Sequence, residues 1–222
     1  ALCLSNFCGE LILNCLDEVE NLISLQNALF RAERKSPCFF YHGIEHFHQF
    51  QNFILELEWK VAKGGNSGIF YLAKEIAVKA EDGSLRYEPI YLSSPEYQVL
   101  DNANHPDAFL GVDGNRQSAS LYDMIPAKPQ NQKPFGEWNK ARIMVYKGTV
   151  VHGQNDANVL EYHLWTPKWT EMLQNSKFSA EAWPIGFELL NDCGGAEHKG
   201  YIGIQDHGDD VWYRNIRIRI ME

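Results

Sequence analysis

The segment QNFILELEWKV, residues 51–61, alternates apolar and polar side chains over most of its length. Its apolar positions are Phe53, Leu55, Leu57, Trp59 and Val61, and its polar positions include Asn52, Glu56, Glu58 and Lys60. Because successive side chains of a β-strand point to opposite faces, the apolar residues fall on one side, with Ile54 as the exception. The segment therefore predicts a strand with one face in a hydrophobic core and the other face polar.

Nine further segments show short strand-like patterns bounded by Gly, Asn, Asp or Pro. They are residues 28–34, 38–41, 68–78, 95–101, 138–147, 149–153, 158–163, 200–206 and 211–220. Turn residues at Lys147-Gly148 and around Gln154-Asn155-Asp156 predict a β-meander over residues 138–163. Ten strands in 222 residues, with little helical periodicity, predict two packed sheets.

The clearest helical signal begins at Thr166, which can act as an N-cap, followed by Pro167 at the first helical position. Trp169, Met172 and Leu173 would share one face of this helix. Residues 16–26 also place apolar side chains at helical spacing and give a second candidate helix. The sequence therefore predicts an all-β fold with one or two short helices.

Composition and charge limit the class of this protein and its partners. With 222 residues, 45% of them hydrophobic, and no repeat or long linker, a single domain over residues 1–222 is expected. A net charge of −9 argues against a nucleic acid partner, and no apolar run is long enough to predict membrane insertion. Five cysteines without a C-x-x-C pair do not form the pattern of a zinc knuckle or a thioredoxin-type site. These features do not indicate the oligomeric state.

Two polar clusters lie on predicted strands. Asn66 and Ser67 precede a glycine at a strand start, where a ligand hydroxyl could approach the backbone, and the alternative is a turn leading into the strand. Period-two geometry puts Glu96 and Gln98 on the same strand face. In a sugar site, a carboxylate can move a proton while a neighbouring amide orients a hydroxyl group. The alternative interpretation of this pair is a strand face that is simply solvated.

Two further polar clusters lie at predicted turns or strand ends. Asp123 ends a segment that carries Ser118, Ser120 and Tyr122 on one strand face. Near the C-terminus, Gln205 and His207 lie among aspartates in a segment that also fits a hairpin turn. A histidine beside carboxylates can serve as a proton donor or base near neutral pH. The residues alone leave both interpretations open.

Several segments of the chain match one family in order and spacing. They are residues 53–59, 66–71, 95–101, 105–107, 121–123, 136–139, 159–162, 200–208 and 211–216. Together they resemble the 3-keto-disaccharide hydrolases, a family of concanavalin A-like domains. The resemblance is strongest over residues 50–220, and the chain departs from the family pattern at residues 33–37 and at Asp156.

The resemblance implies a concanavalin A-like jelly-roll β-sandwich of two antiparallel sheets that acts as a glycoside hydrolase or lyase. Its substrate would be an oligosaccharide or glycoside whose ring carries a ketone at C3. Such a ketone acidifies the C2 proton, so a base can remove it, the C1 substituent leaves, and water then adds. The resemblance points to catalytic residues Glu96, Gln98, Asp123 and His207, and to sugar contacts Asn66, Ser67, Gln205 and Glu58.

The resemblance leaves several properties open. It does not decide whether Glu96 or His207 is the base, and it fixes no cofactor, with a divalent metal left open. It implies a periplasmic or extracellular location, although the first residues do not have the pattern of a signal peptide. The alternative function is a non-catalytic carbohydrate-binding module, because the same sandwich also binds glycans without chemistry.

Overall fold

The computed structural model describes residues 48–79 and 82–222, together with five short strands earlier in the chain. The early strands are β1 (Ser5–Phe7), β2 (Glu10–Ile12), β3 (Glu18–Val19), β4 (Leu22–Leu25) and β5 (Phe30–Arg31). The later strands are β6 (Phe53–Val61), β7 (Asn66–Ala73), β8 (Ala77–Lys79), β9 (Leu85–Tyr87), β10 (Glu96–Leu100), β11 (Asn139–Tyr146), β12 (Thr149–Gln154), β13 (Ala157–His163), β14 (Tyr201–Gln205) and β15 (Val211–Ile220). Between β13 and β14 lie the helices α1 (Pro167–Gln174) and α2 (Pro184–Asn191). Short 3₁₀ turns cover Ile90–Leu92, Pro106–Phe109 and Gly195–Glu197.

Two antiparallel sheets form the body of the protein. The five-stranded sheet has the order β1-β2-β14-β7-β10. The eight-stranded sheet has the order β13-β12-β11-β6-β15-β4-β3, and β5 also pairs with β15. Strands β8 and β9 form a separate hairpin. The predicted all-β sandwich of two antiparallel sheets with one or two short helices is confirmed, although the sequence analysis did not predict α2.

The predicted meander over residues 138–163 is confirmed as β11, β12 and β13, which pair in sequence order. Both of its turns use left-handed backbone. Lys147 and Gly148 have φ values of 48° and 82°, and Asn155 and Asp156 have values of 47° and 67°. Positive φ at both central residues matches the right-handed twist of paired strands, which is why these residues connect the hairpins tightly.

Helix α1 is confirmed with the predicted cap, because Thr166 Oγ1 accepts a hydrogen bond from Trp169 N at 3.2 Å. The helix predicted over residues 16–26 is wrong, because β3 and β4 occupy this segment. Pairing of β4 with β15 satisfies its backbone groups and overrides the helical spacing of its apolar residues. The strand predicted at residues 38–41 lies outside the described residues. Within the described part of the chain, none of the helices has the length and apolar character needed to cross a membrane.

The core between the sheets contains a buried network of three side chains. Tyr71 Oη lies 2.7 Å from His152 Nε2 and 2.5 Å from Tyr162 Oη, and His152 Nδ1 lies 2.9 Å from Ala119 O. Because a carbonyl oxygen only accepts, His152 Nδ1 carries the proton and Nε2 accepts from Tyr71. Tyr162 then donates to Tyr71. The network satisfies every one of these buried polar groups only while His152 is neutral.

Protonation of His152 is expected to destabilise the fold in mild acid. Burial lowers the pKa of His152 from 6.5 to about 4, although the hydrogen bond to Ala119 acts in the opposite direction. The unfolded chain therefore binds a proton between pH 6.5 and 4 that the folded chain does not, so stability falls over this window. The free energy of unfolding is expected to fall by about 3 kcal/mol over this window.

Urea unfolding at about pH 7 and about pH 4 measures this loss, with His152→Gln as the matched variant. Glutamine is neutral at both pH values and can still donate and accept, so the variant should lose less stability than the parent over this window. The NMR signal of the His152 ring is the one that disappears in His152→Gln. If this signal shows a protonated ring in the folded chain at pH 5.5, the assignment is contradicted.

Candidate active site

Strands β7, β10 and β14 of the five-stranded sheet send alternate side chains into the core. The inward members are Ile69, Tyr71, Tyr97, Val99, Ile202 and Ile204. The intervening residues therefore belong to the other side of this sheet, here called the outer face. Its polar members are Asn66, Glu96, Gln98 and Gln205. Four of the eight predicted site residues thus share one face.

Glu96 lies over a glycine on this outer face. It pairs with Phe70 in the register of β10 and β7, and its side chain extends across the neighbouring Gly68. A Cβ atom added at Gly68 would lie 2.9 Å from Glu96 Cδ and would overlap with Oε1. Glu96 is half-buried, so its carboxylate is held close to the sheet and still meets solvent. The glycine leaves the space that this carboxylate occupies.

Gly68→Ala is expected to displace the Glu96 carboxylate while leaving the fold intact. The overlap involves the mobile end of a side chain rather than backbone, and Gly68 is a strand residue without a positive φ. A displacement of about 1 Å at a reacting group is costly, so we expect turnover to fall about 10-fold. Rate measurements together with thermal unfolding check this result. An unchanged rate would show that the position of Glu96 does not matter.

Gln98 and Asn66 are buried on the same face. Gln98 is 1% exposed, and its Oε1 accepts a hydrogen bond from Val99 N at 2.9 Å. Asn66 is 6% exposed, and its backbone N donates to Asp209 Oδ2 at 3.2 Å. Asn66 Oδ1 is buried and has no hydrogen-bond partner among the described residues. A buried acceptor without a partner costs free energy, and a ligand hydroxyl group would remove that cost.

The segment that follows β14 is held by its aspartates. Asp206 Oδ1 accepts from Gly208 N at 2.9 Å, and Asp209 accepts from the backbone of β7. His207 is exposed and makes no hydrogen bond or ion pair within the described part of the chain. Gln205 is half-buried at the end of β14, and β14 lies two strands from β10. Gln205 and Glu96 are therefore separated laterally by about 10 Å.

A cluster of charged residues borders the outer face near Glu96. Arg116 Nε donates to Asp123 Oδ1 at 2.5 Å, and Arg116 Nη1 donates to Asp107 Oδ1 at 3.0 Å. Tyr122 Oη donates to Asp107 Oδ2 at 2.9 Å. Burial lowers the pKa of Arg116, but its hydrogen bonds to the two aspartates outweigh burial and raise the pKa above the ordinary value. Both Asp123 oxygens are occupied, because Oδ2 accepts from Lys177 N at 2.8 Å.

Lys177 brings a positive charge to this cluster. The residue as a whole is exposed, but its ammonium group lies 4.1 Å from the centre of the Tyr122 ring. The surrounding protein shields the ammonium group from water and lowers the pKa of Lys177, while the carboxylates of Glu96 and Asp123 act in the opposite direction. The charges of Glu96 and Lys177 therefore act on each other across the site.

Two of the predicted sugar contacts do not line the outer face. Glu58 belongs to β6 of the eight-stranded sheet, where its Oε2 accepts from Arg214 Nε at 2.6 Å, on the opposite side of the sandwich. Ser67 alternates with the outer residues and is fully buried. Its hydroxyl group donates to Gln205 O at 2.6 Å and accepts from Tyr213 Oη at 2.6 Å. Ser67 therefore fixes the end of β14 from beneath the sheet.

Sequence patterns did not indicate Lys177 or Arg116. Lys177 stands alone after α1, and its contact with Tyr122 depends on tertiary packing. Arg116 lies in a loop without periodicity and outside the segments that matched the family, although its partners Asp107 and Asp123 belong to such segments. Over the described ranges, no group of three or more His, Cys, Asp or Glu residues is arranged to hold a metal ion.

Comparison with known proteins identifies the family of this chain. The profile of the 3-keto-alpha-glucoside-1,2-lyase-like domain matches residues 42–219. The chain belongs to this family. A curated 3-keto-disaccharide hydrolase from Bacteroides thetaiotaomicron is 73% identical over 175 residues, which cover 79% of this chain and 60% of the relative. The chain thus spans about three fifths of the length of that relative, and the resemblance seen in its sequence is confirmed.

Solved structures related to this 3-keto-alpha-glucoside-1,2-lyase-like domain show the same fold. One candidate glycosyl hydrolase from Parabacteroides distasonis aligns with a TM-score of 0.64 over 79% of this chain and 72% of its own. A second one aligns with a TM-score of 0.55 over 98% of this chain and 90% of its own. Both are 23% identical to this chain, so the likeness establishes the fold alone.

Proposed function

We propose that this domain cleaves glycosides whose ring carries a ketone at C3, by elimination followed by addition of water. The family description and the 73% identical 3-keto-disaccharide hydrolase support this substrate class. The observation that carries the proposal is the position of Glu96. Its half-buried carboxylate lies on the outer face over Gly68, within the field of the Lys177 ammonium group. A carboxylate base whose site also contains a cation is suited to proton abstraction next to a ketone.

In the proposed reaction, the Glu96 carboxylate takes the proton from C2 of the sugar. The electron pair of the C2–H bond moves into the C2–C3 bond, and negative charge develops on the oxygen at C3. When this enolate collapses, a C1–C2 double bond forms and the C1–O bond breaks, so the leaving group departs with that electron pair and takes up a proton. Water then adds across the double bond, which returns a proton to C2 and places a hydroxyl group at C1.

The charged neighbours take distinct roles in this scheme. Lys177 stabilises the enolate oxygen at C3, because an ammonium group is most effective where negative charge develops during the reaction. Asp123 fixes the backbone of Lys177, and Arg116 fixes Asp123, so both are positioning residues. We assign the exposed His207 as the donor of the proton that the leaving group takes up.

Amide groups orient the substrate in this scheme. In this scheme the Asn66 side chain turns its buried Oδ1, which has no partner among the described residues, outward to accept from a sugar hydroxyl group, and Gln205 contacts the ring from β14. Gln98 is too buried to touch the substrate directly and supports the strand that carries Glu96. Ser67 positions Gln205, because its hydroxyl group donates a hydrogen bond to the Gln205 carbonyl oxygen.

The proposal is tested with a 3-keto-disaccharide deuterated at C2 and with the unoxidised disaccharide as control. We expect release of 3-keto-glucose that has lost its deuterium to the solvent, and no cleavage of the control. Pre-formed deuterated 3-keto-glucose, incubated with the protein, corrects for exchange after cleavage. Retention of deuterium would contradict elimination, equal cleavage of both sugars would indicate an ordinary glycosidase, and inertness toward both would indicate a carbohydrate-binding module.

A further inference from the structure

Two rows of charged side chains cross the eight-stranded sheet on the side turned away from the core. In the first row, Arg142 of β11 and Arg217 of β15 lie directly opposite Glu56 of β6, one on each side. In the second row, Lys140 and Arg214 flank Glu58 in the same way. Paired strands are about 5 Å apart, so each row is about 10 Å long. These rows lie on the opposite side of the sandwich from Glu96.

The second row is already neutralised. Arg214 Nε donates to Glu58 Oε2 at 2.6 Å, and Lys140 Nζ lies 3.1 Å from Asp156 Oδ1. In the first row, none of the three charged groups has an ion pair or side-chain hydrogen bond within the described ranges. Two guanidinium groups thus face solvent around one carboxylate. This local positive excess occurs on a chain whose net charge is −9.

The two rows border an open groove of about 590 Å³. Its lining includes Asn155, Asn158 and Asn215 beside the charged groups. Gly153 lies directly opposite Arg142 and also lines the groove. The volume falls within the range of small-molecule sites, and the amides offer both donors and acceptors to hydroxyl groups.

From this arrangement we infer that the groove binds a sugar unit that carries a carboxylate, a uronic acid. Arg142 and Arg217 hold the carboxylate, because a guanidinium group forms paired hydrogen bonds with it. The asparagine amides and Glu56 bind the ring hydroxyl groups. A neutral sugar would leave both guanidinium groups without a partner, and a nucleic acid backbone would meet the carboxylates of Glu56, Glu58 and Asp156.

Titration with methyl glucuronide and methyl glucoside, followed by NMR or calorimetry at low ionic strength, tests this inference. We expect the glucuronide to bind at least about 10-fold more tightly than the glucoside, as a charge-assisted contact provides. The double variant Arg142→Gln/Arg217→Gln should lose this preference. Glu56→Gln should bind the glucuronide more tightly, because it removes the one negative charge between the two arginines.

Arg219→Gln is the matched control, because Arg219 is an exposed arginine of the same strand outside the groove. It should retain the preference for the glucuronide. Equal affinity for the two sugars, absence of measurable binding to either, or an equal loss in Arg219→Gln would each overturn the inference. The double variant should cleave a 3-keto-disaccharide at the parental rate, so this test is separate from the proposed function.

Discussion

Glu96→Gln is expected to lower kcat/KM for a 3-keto-disaccharide at least about 100-fold, because an amide cannot accept the C2 proton. The substitution keeps the shape of the side chain that lies over Gly68, so the sheet should fold as before. Initial rates of 3-keto-glucose release measure the effect. Circular dichroism and thermal unfolding check that the variant is folded.

Glu58→Gln is the matched control for this experiment. Glu58 is also a half-exposed strand carboxylate, but it pairs with Arg214 on the opposite side of the sandwich. Its replacement should change stability slightly and leave the rate near that of the parent protein. Equal losses in the two variants would show that the rate responds to the fold rather than to Glu96. A Glu96→Gln variant with parental activity would remove the proposed base.

Alternation in the sequence predicted which side chains face the core, but it could not assign them to a sheet. Glu58 and Glu96 both alternate with core residues, and both point outward. The strand order places them on different sheets, and long-range pairing decides that order. The family resemblance assigned both carboxylates to one site, and period-two patterns could not separate them because they carry no information about pairing partners.

Local structure was predictable wherever a short segment of sequence determines it. Thr166 and Pro167 specify the start of α1, and Asn155 and Asp156 specify a tight turn. Lys177 could not be found in this way, because its place beside Tyr122 results from a long-range contact. The helix predicted over residues 16–26 failed for the same reason, since pairing with β15 determines the structure of β4.

Lys177→Met is expected to lower kcat about 100-fold with little change in KM. In the proposed reaction, the ammonium group meets a full negative charge only when the enolate forms at C3. Methionine has nearly the same length and can still pack against the Tyr122 ring. The hydrogen bond from the backbone N of residue 177 to Asp123 Oδ2 should therefore remain. The separate values of kcat and KM for a 3-keto-disaccharide measure the effect.

Two further variants test whether the expected loss of kcat results from removing the positive charge of Lys177. Lys177→Arg keeps a cation near the Tyr122 ring and should retain more activity than Lys177→Met. Lys168→Met, an exposed lysine of α1, should behave as the parent protein, because it contributes no charge to the cluster around Glu96. A rise in KM without a loss of kcat would instead assign Lys177 to substrate binding. Parental kinetics in Lys177→Met would mean that the oxygen at C3 is stabilised by another group, and the charge arrangement proposed for this face would be incorrect.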